Sequence, residues 1–195
     1  MLKIRFLRVF NGDSIVISLV SETGSEYTIL IDGGIKAAYH EKGKKGKLID
    51  GALKKFIAEL KKAKKIVDLL ILTHIDDDHI AGILEWFKND PDAHLLVKEV
   101  WFNSGRLIAK YLRKDINPNL DHWIKTKKRK AKNTSIPQGI EFGKYIKSKG
   151  IWNQEIVVQG MKAIRAGATF QFLSPNDEKL KALLRNWRKK DSSLN

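Results

Sequence analysis

The chain of 195 residues is long enough for one domain with a substantial core, and 43% hydrophobic and 9% aromatic residues describe a globular protein rather than a disordered one. It has no cysteine, which excludes disulfides, cysteine-rich zinc sites and a cysteine nucleophile, so any metal must be held by His, Asp or Glu. Its 37 Lys and Arg against 22 Asp and Glu leave a formal charge of +15, which either favours polyanionic partners such as nucleic acid, an anionic membrane or phosphorylated substrates, or is a solvated, lysine-rich surface.

The N-terminus, Met1-Leu2-Lys3-Ile4-Arg5-Phe6-Leu7-Arg8-Val9, alternates apolar and basic side chains and predicts a strand over 2–9 rather than a signal peptide. Further strands are expected over 13–20 and 26–32, with turns at Gly12-Asp13 and Glu22-Thr23-Gly24-Ser25. After a Gly- and Lys-rich loop over 33–46, residues 47–65 read as an amphipathic helix with Leu48, Ile49, Leu53, Phe56, Ile57 and Leu60 on one face. The apolar run 67–72, broken only by Asp68, suits a strand buried on both faces. A helix over 78–88 carries Ile80, Ile83, Leu84 and Phe87, and a strand over 96–102 follows. Residues 106–135 are polar and strongly basic, a helical insertion within a single domain spanning 1–195. Then come a helix over 139–148, strands near 155–159 and 169–173, and a helix over 177–189 that buries Leu180, Leu183, Leu184 and Trp187. A β meander followed by β-α-β-α-β implies a layered α/β fold with a mixed sheet. Its helices cover one face and leave the other to something else. No run of roughly 18 apolar residues exists, so no membrane span is expected, and the chain reads as soluble and cytoplasmic.

The chemistry concentrates in Thr73-His74-Ile75-Asp76-Asp77-Asp78-His79. An apolar strand delivers His74 at its carboxyl end, where ligands of α/β folds sit, and Asp78-His79 opens a helix. His74, Asp76, Asp78 and His79 are four candidate ligands within six residues. The alternation 74, 76, 78 lets an extended loop aim them the same way. Neutral imidazole and carboxylate suit Zn or Mn, and a cation relieves the mutual repulsion of clustered acids. Acids at a helix N-terminus also complement its dipole, which accounts for Asp76, Asp77 and Asp78 but not for two bracketing histidines. Asp77, turned away by the alternation, reads as a helix cap.

The segment resembles the second motif of the metallo-β-lactamase superfamily, usually written HxHxDH. Gly12-Asp13-Ser14 resembles that family's early Gly-Asp, and Ile31-Asp32-Gly33-Gly34 resembles its first motif, in which an Asp supports the metal site. The order of these pieces matches the first half of the family's αβ/βα sandwich over about residues 1–90. The second half is expected to be incomplete or absent. Asp76 stands where the commonest pattern has its second His. The resulting HxDxDH is similar to the subset that includes the metallo-β-lactamase-like domain of DNA-uptake (competence) proteins, and shifts preference towards Mn and other oxygen-preferring ions. The resemblance implies two divalent ions, one on His74 and Asp76 and one on Asp78 and His79. A bridging water, deprotonated to hydroxide, attacks the scissile bond, and Asp32 orients a His or a loop amide from behind.

The further ligands that the family supplies downstream find no match. His94 and His122 read as surface residues, and Asp191 sits in a charged tail. Lys190-Asp191-Ser192-Ser193-Leu194-Asn195 resembles the loop into the family's second half, so a missing C-terminal half or a protein partner is expected to complete the site.

In 125–132, Lys125, Lys127, Lys128, Arg129, Lys130 and Lys132 could track a phosphate backbone or form a solvated insertion. Trp123 could stack on a base or pack in a core, and Arg106 could reach a phosphate or lie on the surface. Trp152 and Trp187 read as packing residues. The leading expectation is a metal-dependent hydrolase of phosphodiesters in nucleic acid. The alternatives are a same-fold hydrolase of a small thioester or lactone, and a non-catalytic nucleic-acid-binding module with a relic site.

Overall fold

The structure, a computed structural model, describes residues 1–44, 47–112 and 136–191. A five-stranded sheet organises it: β1 (Leu2–Phe6), β2 (Ile15–Val20), β3 (Glu26–Ile31), β6 (Val67–Ile71) and β7 (Val97–Trp101), lying in that order. β1, β2 and β3 form an antiparallel meander, while β6 and β7 run parallel to β3. Between β3 and β6 lie a small ladder of β4 (His40–Lys42) with β5 (Leu48–Asp50) and the helix α1 (Ala52–Lys62). α2 (Asp77–Asn89) links β6 to β7, and α3 (Gly105–Tyr111) follows β7. α4 (Ile136–Ser148), the hairpin β8 (Lys162–Arg165) and β9 (Ala168–Gln171), and α5 (Asp177–Arg188) complete the described chain. This is the mixed α/β sheet with helices expected for an α/β sandwich of the kind the motifs resemble. Among the described residues no helix is long and apolar enough to cross a membrane.

The side-chain period of two divides the sheet into two faces. Val16, Leu30, Leu70 and Val100 point into the main core, which α1, α2, α4 and α5 fill with Leu53, Phe56, Ile83, Trp86, Phe142, Ile146, Leu184 and Trp187. Ile29, Leu69 and Trp101 point the other way, under Ala163 and Phe170 of the β8–β9 hairpin and Phe172 beyond it. Arg165 locks this hairpin down: its Nε and Nη2 donate to the two carboxylate oxygens of Glu99 at 2.9 and 2.8 Å.

Three expectations need correction. The helix expected over 47–65 begins at Ala52. Gly51 is extended, and its amide donates to the Tyr39 carbonyl, so Leu48 and Ile49 lie in β5, exposed rather than on a helix face. The strand expected near 155–159 is irregular chain. Asn103 occupies both backbone groups of Val157, its Nδ2 donating to the carbonyl at 2.7 Å and its Oδ1 accepting from the amide at 2.9 Å, as a neighbouring strand would. The strands of that region are 162–165 and 168–171. The helix expected from 139 already includes Ile136 and Pro137 among the described residues.

Candidate metal centre

Three carboxyl ends of parallel strands meet at one edge of the sheet. β3 ends in Asp32-Gly33-Gly34, β6 in Leu72-Thr73-His74, and β7 in Phe102-Asn103-Ser104. Backbone bonds continue the ladder past the strands, from Asp32 N–H to the Ile71 carbonyl and from Leu72 N–H to the Trp101 carbonyl. The site loops are therefore held by the sheet itself.

α2 is docked beside them at very short range. A Cβ on Gly82 would lie 2.0 Å from the Gly33 carbonyl oxygen, and the Gly82 amide donates to the Gly34 carbonyl. The Gly33 amide in turn donates to the His79 carbonyl at 2.8 Å. On the other flank, a Cβ on Gly12 would fall 1.7 Å from the Asp78 carbonyl oxygen, and Gly12 has φ +71°, so any side chain there is both strained and blocked. Glycines in the two family-like segments thus let two loops press onto the first turns of α2.

Asp32 is the hub. It is 1% exposed and sits at φ +57°, a left-handed conformation that Asp tolerates better than most residues. Its Oδ1 accepts from the Thr73 amide at 2.8 Å. Its Oδ2 accepts from the Thr73 hydroxyl at 2.5 Å and from His79 Nδ1 at 2.9 Å. Burial pushes the Asp32 carboxyl above its ordinary value, while the bonds from Thr73 and His79 pull it back down. Three converging donors fit the ionised form.

These bonds fix both histidines. The Thr73 hydroxyl spends its proton on Asp32, so it accepts from His74 Nδ1, 2.9 Å away. Both imidazoles then carry their proton on Nδ1, an assignment that follows from the bonding pattern, and both Nε2 atoms keep a free lone pair. The rings lie close, with centroids 3.7 Å apart and planes tilted by 47°. His74 Nε2 lies 4.0 Å from Asp76 Oδ2, and His79 Nε2 lies 3.9 Å from Asp78 Oδ1. Two ligands of one ion at about 2.0–2.2 Å each stand no more than about 4 Å apart. Asp32, His74 and His79 also each offer a ligand atom within 4.8 Å of the others, a group that could hold a metal ion. The donor set, imidazole nitrogen with carboxylate oxygen, fits a divalent transition metal.

His74, Asp76, Asp78 and His79 are thus gathered at one place, with Asp32 behind them. Asp77 does not cap α2. Asp76 holds the N-cap position, without a side-chain cap bond, and the exposed Asp77 accepts from Gln138 Nε2 of α4 at 2.8 Å. His94 lies apart, in the short turn before β7, its Nδ1 3.2 Å from the Pro91 carbonyl oxygen. Arg106 lies in the first turn of α3. His122, Trp123, the cluster Lys125, Lys127, Lys128, Arg129, Lys130 and Lys132, and the segment Ser192-Ser193-Leu194-Asn195 lie outside the described residues. Trp187 is buried as expected, and Trp152 is partly buried against the core, its Nε1 donating to the Phe102 carbonyl. Nothing in the sequence marks Gln138, 61 residues from its partner, and Thr73 is marked there only by its place before His74.

A family model described as the metallo-beta-lactamase superfamily matches residues 7–143 of the chain. Among curated proteins, none matches it.

Proposed function

The chain belongs to the metallo-beta-lactamase superfamily, and on that premise we propose that it is a metal-dependent hydrolase of phosphodiester bonds in nucleic acid. The observation that carries the hydrolytic part is the pair of Nε2 lone pairs, each facing a carboxylate at about 4 Å, with His79 Nδ1 bonded directly to the buried Asp32 and His74 Nδ1 linked to it through the Thr73 hydroxyl. The net charge of +15 supports a polyanionic substrate.

His74 with Asp76 would hold one divalent ion, and Asp78 with His79 a second. Such ions bring the pKa of bound water to about 7 and offset charge that develops on phosphate oxygens. The chain's own residues do the positioning. Asp32 holds the His79 ring and, through the Thr73 hydroxyl, the His74 ring, so one carboxylate sets both tautomers. The Gly12 backbone walls the Asp78 side of the site, and Gln138 holds the neighbouring acid Asp77 to α4. Asp76 in place of an imidazole supports a preference for Mn or another oxygen-preferring ion, and supports a place near the DNA-uptake subset of the superfamily.

A second reading, a nucleic-acid-binding module without turnover, is favoured by one observation: among the described residues no third histidine joins His74 and His79. A partner or further chain would then supply what the site lacks. Elemental analysis of the chain purified without chelator, followed by cleavage assays on single- and double-stranded DNA with added Mn or Zn, separates the two. Two ions per chain, and cleavage that disappears in the Asp78→Ala variant, is the expected result. Nucleic-acid binding indifferent to chelator, with no cleavage by the metal-loaded chain, would establish the second reading instead.

A further inference from the structure

The loop between β1 and β2 reaches the metal centre. β2 runs antiparallel to β3, so this loop lies at the end of the sheet where β3 delivers Asp32. It is firmly seated. The Leu7 amide donates to the Ser14 carbonyl, the Gly34 amide donates to the Asp13 carbonyl, Gly12 rests on Asp78, and Val9 packs on Gly34. Leu7 and Val9 are buried, and the alternation turns Arg8 and Phe10 outward.

These two outward residues break local rules. Phe10 is 53% exposed and holds φ +67°, which is rare for a bulky side chain. Its ring lies under the Arg8 guanidinium, 5.0 Å from ring centroid to Cζ. It stands two residues from Gly12, hence within about 7 Å along the chain of the backbone that touches Asp78. A strained, solvent-facing aromatic paired with an arginine, on a rigid loop beside candidate metal ligands, adds nothing to the core. Where local preference is overridden without a gain in packing, a functional role is the physical expectation.

We propose that Arg8 and Phe10 form the substrate-gripping rim of the metal centre, Phe10 stacking on a base of a single-stranded nucleic acid and Arg8 pairing with an adjacent phosphate. This rests on the phosphodiester reading above. A flat ring with an exposed face binds any base, and a guanidinium offers paired donors to phosphate oxygens. The grip is therefore tolerant of sequence.

The test is fluorescence anisotropy of the full chain with a short labelled oligothymidylate and with its abasic counterpart, in chelator so that nothing is cleaved. Phe10→Ala should weaken the base-bearing oligomer about tenfold and leave the abasic one unchanged, and Phe10→Trp should restore binding. Alanine keeps a Cβ, so the backbone demand at position 10 is the same, and thermal unfolding checks that the fold survives. Arg8→Ala should weaken both oligomers and lower the salt slope by about one. Phe10→Ala binding as wild type, or losing both oligomers equally while still folded, would overturn the rim but leave the hydrolase reading standing. Wild-type protein that binds neither oligomer would overturn the rim as well, and the cleavage assay with added metal then decides the hydrolase reading separately.

Discussion

The two faces of the central sheet are built to different standards. On one, Val16, Leu30, Leu70 and Val100 meet a continuous core beneath the five helices α1 to α5. On the other, the β8–β9 hairpin covers Ile29, Leu69 and Trp101 but stops short of β1, where Leu2, Ile4 and Phe6 are 59%, 54% and 75% exposed. β1 even inverts the usual arrangement. Its apolar residues face the thinly covered side, while Arg5 turns towards the helices, lies over the Phe56 ring at 5.9 Å and pairs with Glu59. A polar-apolar alternation therefore marks a strand without saying which face meets the core. The metal centre is anchored where cover is complete, at the ends of β3 and β6 and on α2.

The largest effect should come from truncating matched tryptophans on the two faces. Trp86 is fully buried on α2, and its Nε1 donates to Asp90 at 3.0 Å, so Trp86→Ala should cost about 4 kcal/mol. Trp101 is 3% exposed under the hairpin, edge-on to Phe170 and Phe172. A two-stranded hairpin can settle into the space, so Trp101→Ala should cost less, about 2–3 kcal/mol. Denaturant titration of the two variants measures both. Equal losses would mean that the hairpin is as rigid as the helical layer.

Next is Asp32→Asn, which keeps the shape but sets an amide against three donors. The expected outcome is a metal affinity reduced about 10- to 100-fold, read by competition with a chromogenic chelator, together with a loss of stability in the metal-free chain, because a buried group is left mispaired. Undiminished metal affinity would instead identify Asp32 as a bystander to the two histidines.

What was legible in the sequence follows the same division. The segment 67–89 could be read almost whole, because a doubly buried strand, a ligand loop and an amphipathic helix each leave a periodic mark, and because the ligands are close in sequence. Asp32 could be placed through its Gly-Gly sequel. The helical period runs past the true start of α1, since Leu48 and Ile49 fit it although they lie in a short ladder and Gly51 separates them from the helix. The irregular run held by Asn103 left no mark, because a side chain replaced a strand partner. The bond from Gln138 to Asp77, and the relay through Thr73, depend on three-dimensional closure and have no counterpart in spacing.

A smaller effect tests what holds the hairpin. The fork from Arg165 is the largest cause keeping the Glu99 carboxyl below its ordinary value, and the Trp101 Nε1 bond lowers it further. A carboxyl whose folded value is depressed stabilises fully above its unfolded value and loses that contribution as pH falls through the folded one. Arg165→Ala should therefore lower stability by about 1 kcal/mol at neutral pH, a modest figure because both partners are partly exposed. The gap to wild type should close as Glu99 protonates. Melting curves from neutral to acidic pH give the answer. A gap that stays constant would assign the effect to Arg165 packing over the Trp101 ring at 5.3 Å.

The smallest effect is expected at the bare end of the sheet. Phe6 closes β1 opposite Ile15 and is three-quarters exposed, so Phe6→Ser removes little buried surface and opens no cavity. Its stability should stay within about 0.5 kcal/mol of wild type. The same change at Leu30, fully buried on the opposite face, should cost several-fold more, as serine would leave both a void and an unpaired hydroxyl. Paired denaturant titrations of the two variants measure the contrast within one sheet. A loss at Phe6 approaching that at Leu30 would mean that the β1 end of this face is covered in solution as thoroughly as the helical side, and the two faces would no longer differ.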